Sequence, residues 1–217
     1  MIIYERGRNM QWKLDKIRFL YPPDDFTGSF TNPKMQARHK AQQDHKIKEL
    51  LSRLENEKNP LEAMRILNPL EHIRFLLNNL DHFKQQKCLE KAVLLLYFRK
   101  NTPFAADGDY EVWKFLLNSC DSKRLYEQGS PFPHDRVTGY RGSMTGISRG
   151  LSWTVSRENA AWILDRWENK DLGGGTVFSL EITRKDILVY IEDKVRQEVI
   201  LLPERAETAE VREITRL

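Results

Sequence analysis

The sequence predicts an α+β protein in which a helical first part is followed by a domain of short strands. Three observations carry this. Between Lys34 and Ser119, apolar residues recur at helical spacing with charged residues between them. After Gln128-Gly129-Ser130-Pro131-Phe132-Pro133 the pattern changes, and short β-rich runs alternate with glycines. Among those runs lies one good helical stretch, Arg157 to Trp167, and short strands around a single embedded helix indicate an α+β domain.

Residues 1–33 show no sustained period and contain Tyr21-Pro22-Pro23-Asp24-Asp25 and Asn32-Pro33. They read as an irregular segment with at most a short helix near Gln11 to Leu20. The helical region, 34–130, begins with Ile47, Leu50, Leu51 and Leu54 at i, i+3, i+4 and i+7. Asn59-Pro60 breaks that helix and starts a second, to about Leu67. Asn68-Pro69 starts a third, with Ile73, Leu76, Leu77 and Leu80 on one face. An asparagine cap followed by proline at the first helical position suits each junction. Residues 86–99 form the most hydrophobic helix, expected to be central. Asp109 to Ser119 follows, with Val112, Trp113, Leu116 and Leu117 at helical spacing. In the core, 131–217, strands are expected at Thr138–Arg141, Leu151–Val155, Thr176–Ile182, Ile187–Ile191 and Val199–Leu202. Ser156 is expected to cap the helix Arg157 to Trp167, which would pack through Ala160, Ala161, Ile163 and Leu164.

A hydrophobic content of 40% with 30% charged residues is that of a soluble globular protein with ample core. The net charge of +4 is unevenly placed. Residues 1–130 carry 22 Lys+Arg against 17 Asp+Glu, and residues 131–217 carry 13 against 14. The basic excess allows contact with nucleic acid or an acidic protein surface, although such charge is commonly a solvated helix face. Cys88 and Cys120 read as buried free thiols in a reducing compartment. Met1-Ile2-Ile3-Tyr4 is too short for a secretory leader. The longest apolar run, Ala92 to Phe98, falls far short of the roughly 20 residues of a membrane span. A cytoplasmic protein without membrane contact is the expectation. The five histidines show no metal-ligand spacing, so no metal is expected. Gly173-Gly174-Gly175 reads as a flexible turn, since no helix or Gly-Lys-Ser/Thr follows it.

Three motifs in the core carry chemistry. Arg196-Gln197-Glu198 opens the apolar run Val199 to Leu202, ended by Pro203, and a carboxylate there needs a partner or a ligand. Upstream lie Gly139-Tyr140-Arg141-Gly142 and Leu151-Ser152-Trp153-Thr154. Alone, Arg141 reads as a strand-end salt bridge, Ser152 and Thr154 as β-propensity, and Glu198 as an edge charge that discourages strand pairing. Together and in this order they resemble the Arg, Ser-x-Thr and Glu signature of NAD-dependent mono-ADP-ribosyltransferases, in their toxin-like branch. Glu198-Val199-Ile200-Leu201-Leu202-Pro203 is similar to that family's third motif. The strand-to-helix order after Ser-x-Thr agrees.

The resemblance implies a split β-sheet core, against which the preceding helices pack, because about 85 residues are few for a domain of this family. It implies NAD as substrate, bound through Arg141, Gly142, Ser152 and Thr154. The catalytic group would be Glu198, with Arg196 and Gln197 in the same loop. Expelling nicotinamide leaves an oxocarbenium-like sugar, which a carboxylate near the ribose stabilises. Arg141 offers a fixed fork of donors to phosphate or ribose oxygens, and Gly142 allows close backbone approach. The first hydroxyl of Ser-x-Thr orients the glutamate in the family, and the second supports the strand. Two departures stand out. Trp153 fills a position that is commonly small or a threonine. Arg196 stands where other branches carry Glu or Gln, so a guanidinium acceptor would be repelled unless Glu192 or Asp193 compensates. The implied activity is transfer of ADP-ribose to a macromolecular acceptor, protein or nucleic acid; an inhibitor partner leaves no mark in the sequence. The rival readings are an NAD glycohydrolase of the same fold and a non-catalytic binding module that keeps the fold.

Overall fold

The computed structural model describes residues 11–25, 32–98, 110–167, 175–193 and 196–214. The chain divides into two compact units, Met1–Asp107 and Gly108–Leu217. The pattern in the sequence changes later, at residue 131. The helices α6 (Tyr110–Ser119) and α7 (Ser122–Glu127) therefore belong to the same unit as the strands. The link is local: Ser130 N donates to Tyr190 O at 2.7 Å, and Phe132 meets the Tyr190 ring edge-on at 5.2 Å.

In the first unit the Asn-Pro pairs act as caps. Asn32 Oδ1 accepts from Lys34 N at 2.9 Å at the start of α1 (Pro33–Asn56), and Asn59 Oδ1 from Leu61 N at 2.9 Å at the start of α2 (Pro60–Ile66). Asn68 does the same for a single 3-10 turn, Pro69–Glu71. Proline has no N–H to lose at that position, and the asparagine oxygen satisfies the next donor. The third helix is interrupted: α3 (His72–Asn78) and α4 (Leu80–Gln85) meet at Asn79. Its inward face is also rotated from expectation. His72, Phe75, Leu76 and Asn79 are buried, while Ile73, Leu77 and Leu80 are only partly so. The cause lies in the supposed loop. Trp12 is 3% exposed, packs on Phe75 at 5.6 Å and donates its Nε1 to Leu54 O at 3.0 Å. Asn79 clasps the neighbouring backbone, accepting from Lys13 N at 2.8 Å and donating to Lys13 O at 2.9 Å. Residues 11–25 contain no helix, yet they supply a core side chain. The hydrophobic helix α5 (Leu89–Phe98) is mostly buried, including Leu89, Ala92, Val93, Leu94 and Leu96.

In the second unit one antiparallel sheet is built from β1 (Arg136–Ser143), β2 (Ser152–Thr154), β3 (Thr176–Thr183), β4 (Ile187–Glu192), β5 (Gln197–Leu201) and β6 (Arg212–Ile214). Their order is β4-β5-β2-β1-β3-β6. Each expected strand is present, and β6 is additional. The sheet is continuous in hydrogen bonding, which corrects the expected split. It is narrow at one joint, β1–β2, where Tyr140 opposite Thr154 is the paired position, because β2 is three residues long. The helix α8 (Arg157–Trp167) packs Ala160 and Leu164 on Met144 and Val177, with Tyr140 and Ile214 beside them. Ser156 caps it, its Oγ accepting from Asn159 N at 3.1 Å. A short helix α9 (Pro203–Thr208) precedes β6. Of the triple glycine, Gly173 and Gly174 lie outside the described residues, and Gly175 takes φ +71°.

Candidate active site

Glu198 is placed by the strand that follows it. Val199, Ile200 and Leu201 are fully buried, which draws the preceding residue into the sheet. β5 lies between β4 and β2, so Glu198 faces Ile191 on one side and Thr154 on the other. An interior strand has no open edge to protect. The edge-charge reading of Glu198 is therefore overturned.

Ser152 stands two residues before Thr154, on the same face and diagonal to Glu198, a spacing within side-chain reach across antiparallel strands. Its Oγ donates to Glu198 Oε1. Trp153 points to the opposite face and is buried. Burial pushes the Glu198 carboxyl above its ordinary range. The Ser152 hydrogen bond opposes that rise, as do the positive charges of Arg196 and Arg141, while Asp193 adds to it. Removing the hydroxyl removes the largest opposing influence. Ser152→Ala is thus expected to raise the Glu198 pKa further and move the acid limb of any Glu198-dependent activity to higher pH. A pH–rate profile checks this, and an unmoved limb would separate Ser152 from the control of Glu198.

Arg141 is held from two directions. Its Nη1 donates to Ser152 O at 3.1 Å. Its guanidinium also lies against the α-carbon of Gly150, where an added Cβ would stand 2.2 Å from Arg141 Cζ. Gly150 is in turn fixed by Trp153, whose Nε1 donates to Gly150 O at 2.8 Å. Trp153 and Gly150 thus brace Arg141, and the backbone of Ser152 joins Arg141 to the residue that holds Glu198. Sequence reasoning passed over Gly150. Its one signal is a glycine immediately before the strand that carries Ser-x-Thr.

The other predicted site residues have structural partners. Gly142 is required by α8, since a Cβ there would stand 2.4 Å from Ala160 O. Thr154 Oγ1 accepts from Ser156 N at 3.1 Å and shapes the turn into α8. Gln197 is exposed and its Nε2 donates to Glu192 Oε1 at 3.2 Å. Arg196 is exposed and pairs with Asp193, Nε and Nη2 lying 3.0 Å and 2.9 Å from Oδ2. Its charge still reaches Glu198, so Arg141, Ser152, Glu198 and Arg196 form one electrostatic group. Among the described residues no group of three or more His, Cys, Asp or Glu is placed to hold a metal. Nor is any helix there long and apolar enough to cross a membrane. A groove in the first unit is lined by Ser52, Arg53, Asn56, Glu57, Glu62, Arg65 and Ile66, with Arg65 paired to Glu62.

No protein-family model matches the chain, and no match is found among curated proteins or solved structures.

Proposed function

We propose that the second unit cleaves NAD at the nicotinamide–ribose bond and transfers ADP-ribose to a macromolecule. The observation that supports this most is the Ser152–Glu198 hydrogen bond beside Arg141, on adjacent strands of one sheet. In the reaction the C1′–N bond breaks and its electron pair leaves with neutral nicotinamide. An acceptor heteroatom then bonds to C1′ and gives up its proton. Positive charge grows on the ribose between these events, and a fixed carboxylate is the group that stabilises it. Glu198 takes that role; burial raises its pKa, and the Ser152 hydroxyl and the nearby guanidinia favour the ionised form against that rise. Arg141 supplies the donor fork for phosphate or ribose oxygens. The turn between β4 and β5 meets the acceptor, protein or nucleic acid, with Arg196 paired to Asp193 and Gln197 to Glu192. The compartment is the cytosol, where free thiols such as Cys88 and Cys120 stay reduced.

The test is incubation with NAD labelled on the adenine side, with protein and nucleic-acid fractions supplied separately. Label on a macromolecule with release of nicotinamide supports transfer. Nicotinamide release with free ADP-ribose alone makes the protein a glycohydrolase, and no release rejects both. In the same assay Arg141→Lys keeps the charge and loses the fork. Its KM for NAD is expected to rise about tenfold, equivalent to roughly 1.4 kcal/mol. An unchanged KM would return Arg141 to a structural role.

A further inference from the structure

The first unit carries a charged surface that the proposed reaction does not use. Residues 1–107 hold 19 Lys+Arg against 13 Asp+Glu, and residues 108–217 hold 16 against 18. The excess is therefore confined to the first unit. Within it, α1 is the longest helix described, at 24 residues, and its buried residues are Ile47 and Leu54. From Pro33 to Lys46 no residue of α1 is buried. A helix advances about 100° per residue, so Lys34, Arg38, His45 and Lys48 fall within about 80° of one another, opposite Ile47 and Leu54. All four are exposed, and among the described residues none is in an ion pair. Asp44, Glu49 and Glu55 lie on the flanks of this stripe. Lys46, elsewhere on the helix, is already taken by Asp24. At about 1.5 Å per residue the stripe from Lys34 to Lys48 is about 21 Å long.

We propose that this stripe is a docking surface for the phosphate backbone of a nucleic-acid duplex. Three exposed cations along one face of a solvated helical rod give a polyanion several contacts, and an excess of positive charge on the same unit draws it toward them. Contacts of this kind position a protein on nucleic acid without reading its sequence. The surface does not depend on the transfer reaction and is measured without NAD.

The experiment follows binding of a fluorescent 20-base-pair duplex of random sequence to the full chain by anisotropy as salt is raised. Neutralising three phosphates corresponds to a log–log slope of about −2.7, so a fourfold rise in salt weakens binding about 40-fold. The triple change Lys34→Gln, Arg38→Gln, Lys48→Gln is expected to remove most of that slope with unchanged circular dichroism. A control with the same loss of charge at other exposed positions of the unit, Lys58→Gln, Lys84→Gln, Lys91→Gln, is expected to keep it. Equal losses in the two variants would overturn the assignment, leaving only general attraction. So would tighter binding of polyglutamate or anionic vesicles than of duplex, or no measurable duplex binding at 50 mM salt.

Discussion

Replacing Glu198 with Gln is expected to slow NAD cleavage about 10²–10³-fold, the usual loss for one preorganised electrostatic stabiliser. The amide keeps the size of the side chain and an oxygen that accepts from Ser152, but it lacks the charge proposed to meet the cationic ribose. NAD binding, which we assign to Arg141, is expected to survive. The same change has an opposite effect on stability. A carboxyl whose folded pKa is raised above its unfolded value binds its proton more tightly when folded. The stability linked to it is fully present below the unfolded pKa and is lost as pH rises through the folded one. At neutral pH the raised pKa of the partly buried Glu198 therefore weighs against the fold, and the neutral amide relieves that. Thermal unfolding at neutral pH is expected to show a higher Tm for Glu198→Gln than for the parent, with a difference that shrinks toward acid. A variant that turns over NAD at the parental rate would remove Glu198 from the reaction. A Tm gain that does not depend on pH would remove the burial argument.

Replacing Trp153 with Ala is expected to destabilise the second unit by about 3–5 kcal/mol, the range for a fully buried aromatic truncated to Ala. Trp153 is 2% exposed at the centre of β2, and β2 alone joins β1 to β5. Shortening it opens a cavity at the narrowest joint of the sheet. Trp153→Phe separates packing from positioning, because it keeps most of the ring and loses the Nε1 donor to Gly150 O. Its loss is expected to be about 1–2 kcal/mol, together with a raised KM for NAD as Gly150 and Arg141 loosen. Denaturant unfolding and NAD kinetics on the two variants check this. A parental KM in Trp153→Phe would mean that Arg141 is held without the Trp153–Gly150 brace.

Much of this architecture is written locally. Each Asn-Pro pair starts its helix because a cap needs only an oxygen, a missing N–H and the next residue's donor. The expected strands match because their apolar runs are bounded by glycine, proline or charge, and Ser156 caps α8 for the same kind of reason. The shorter elements escaped notice. Pro203 reads as the end of a strand, yet it also opens α9, and β6 has a polar sequence that becomes a strand only by pairing with β3. In the site, Arg141, Ser152 and Glu198 were legible as residue types in a given order, while Gly142 and Thr154 owe their identities to α8 and the turn before it.

The sequence by itself determined the longer helices and the strands β1 to β5, and which side chains could do chemistry at their ends, but not α9, β6 or the break at Asn79. Tertiary structure decided which face of α3 turns inward, through the remote Trp12. It also placed Glu198 on an interior strand diagonal to Ser152, with Gly150 under Arg141. Caps and periodicity act between residues a few positions apart, where the covalent chain sets the distance. Register, burial and the bracing of a guanidinium arise between residues far apart in the chain, whose distances are set only when each unit closes on its own core.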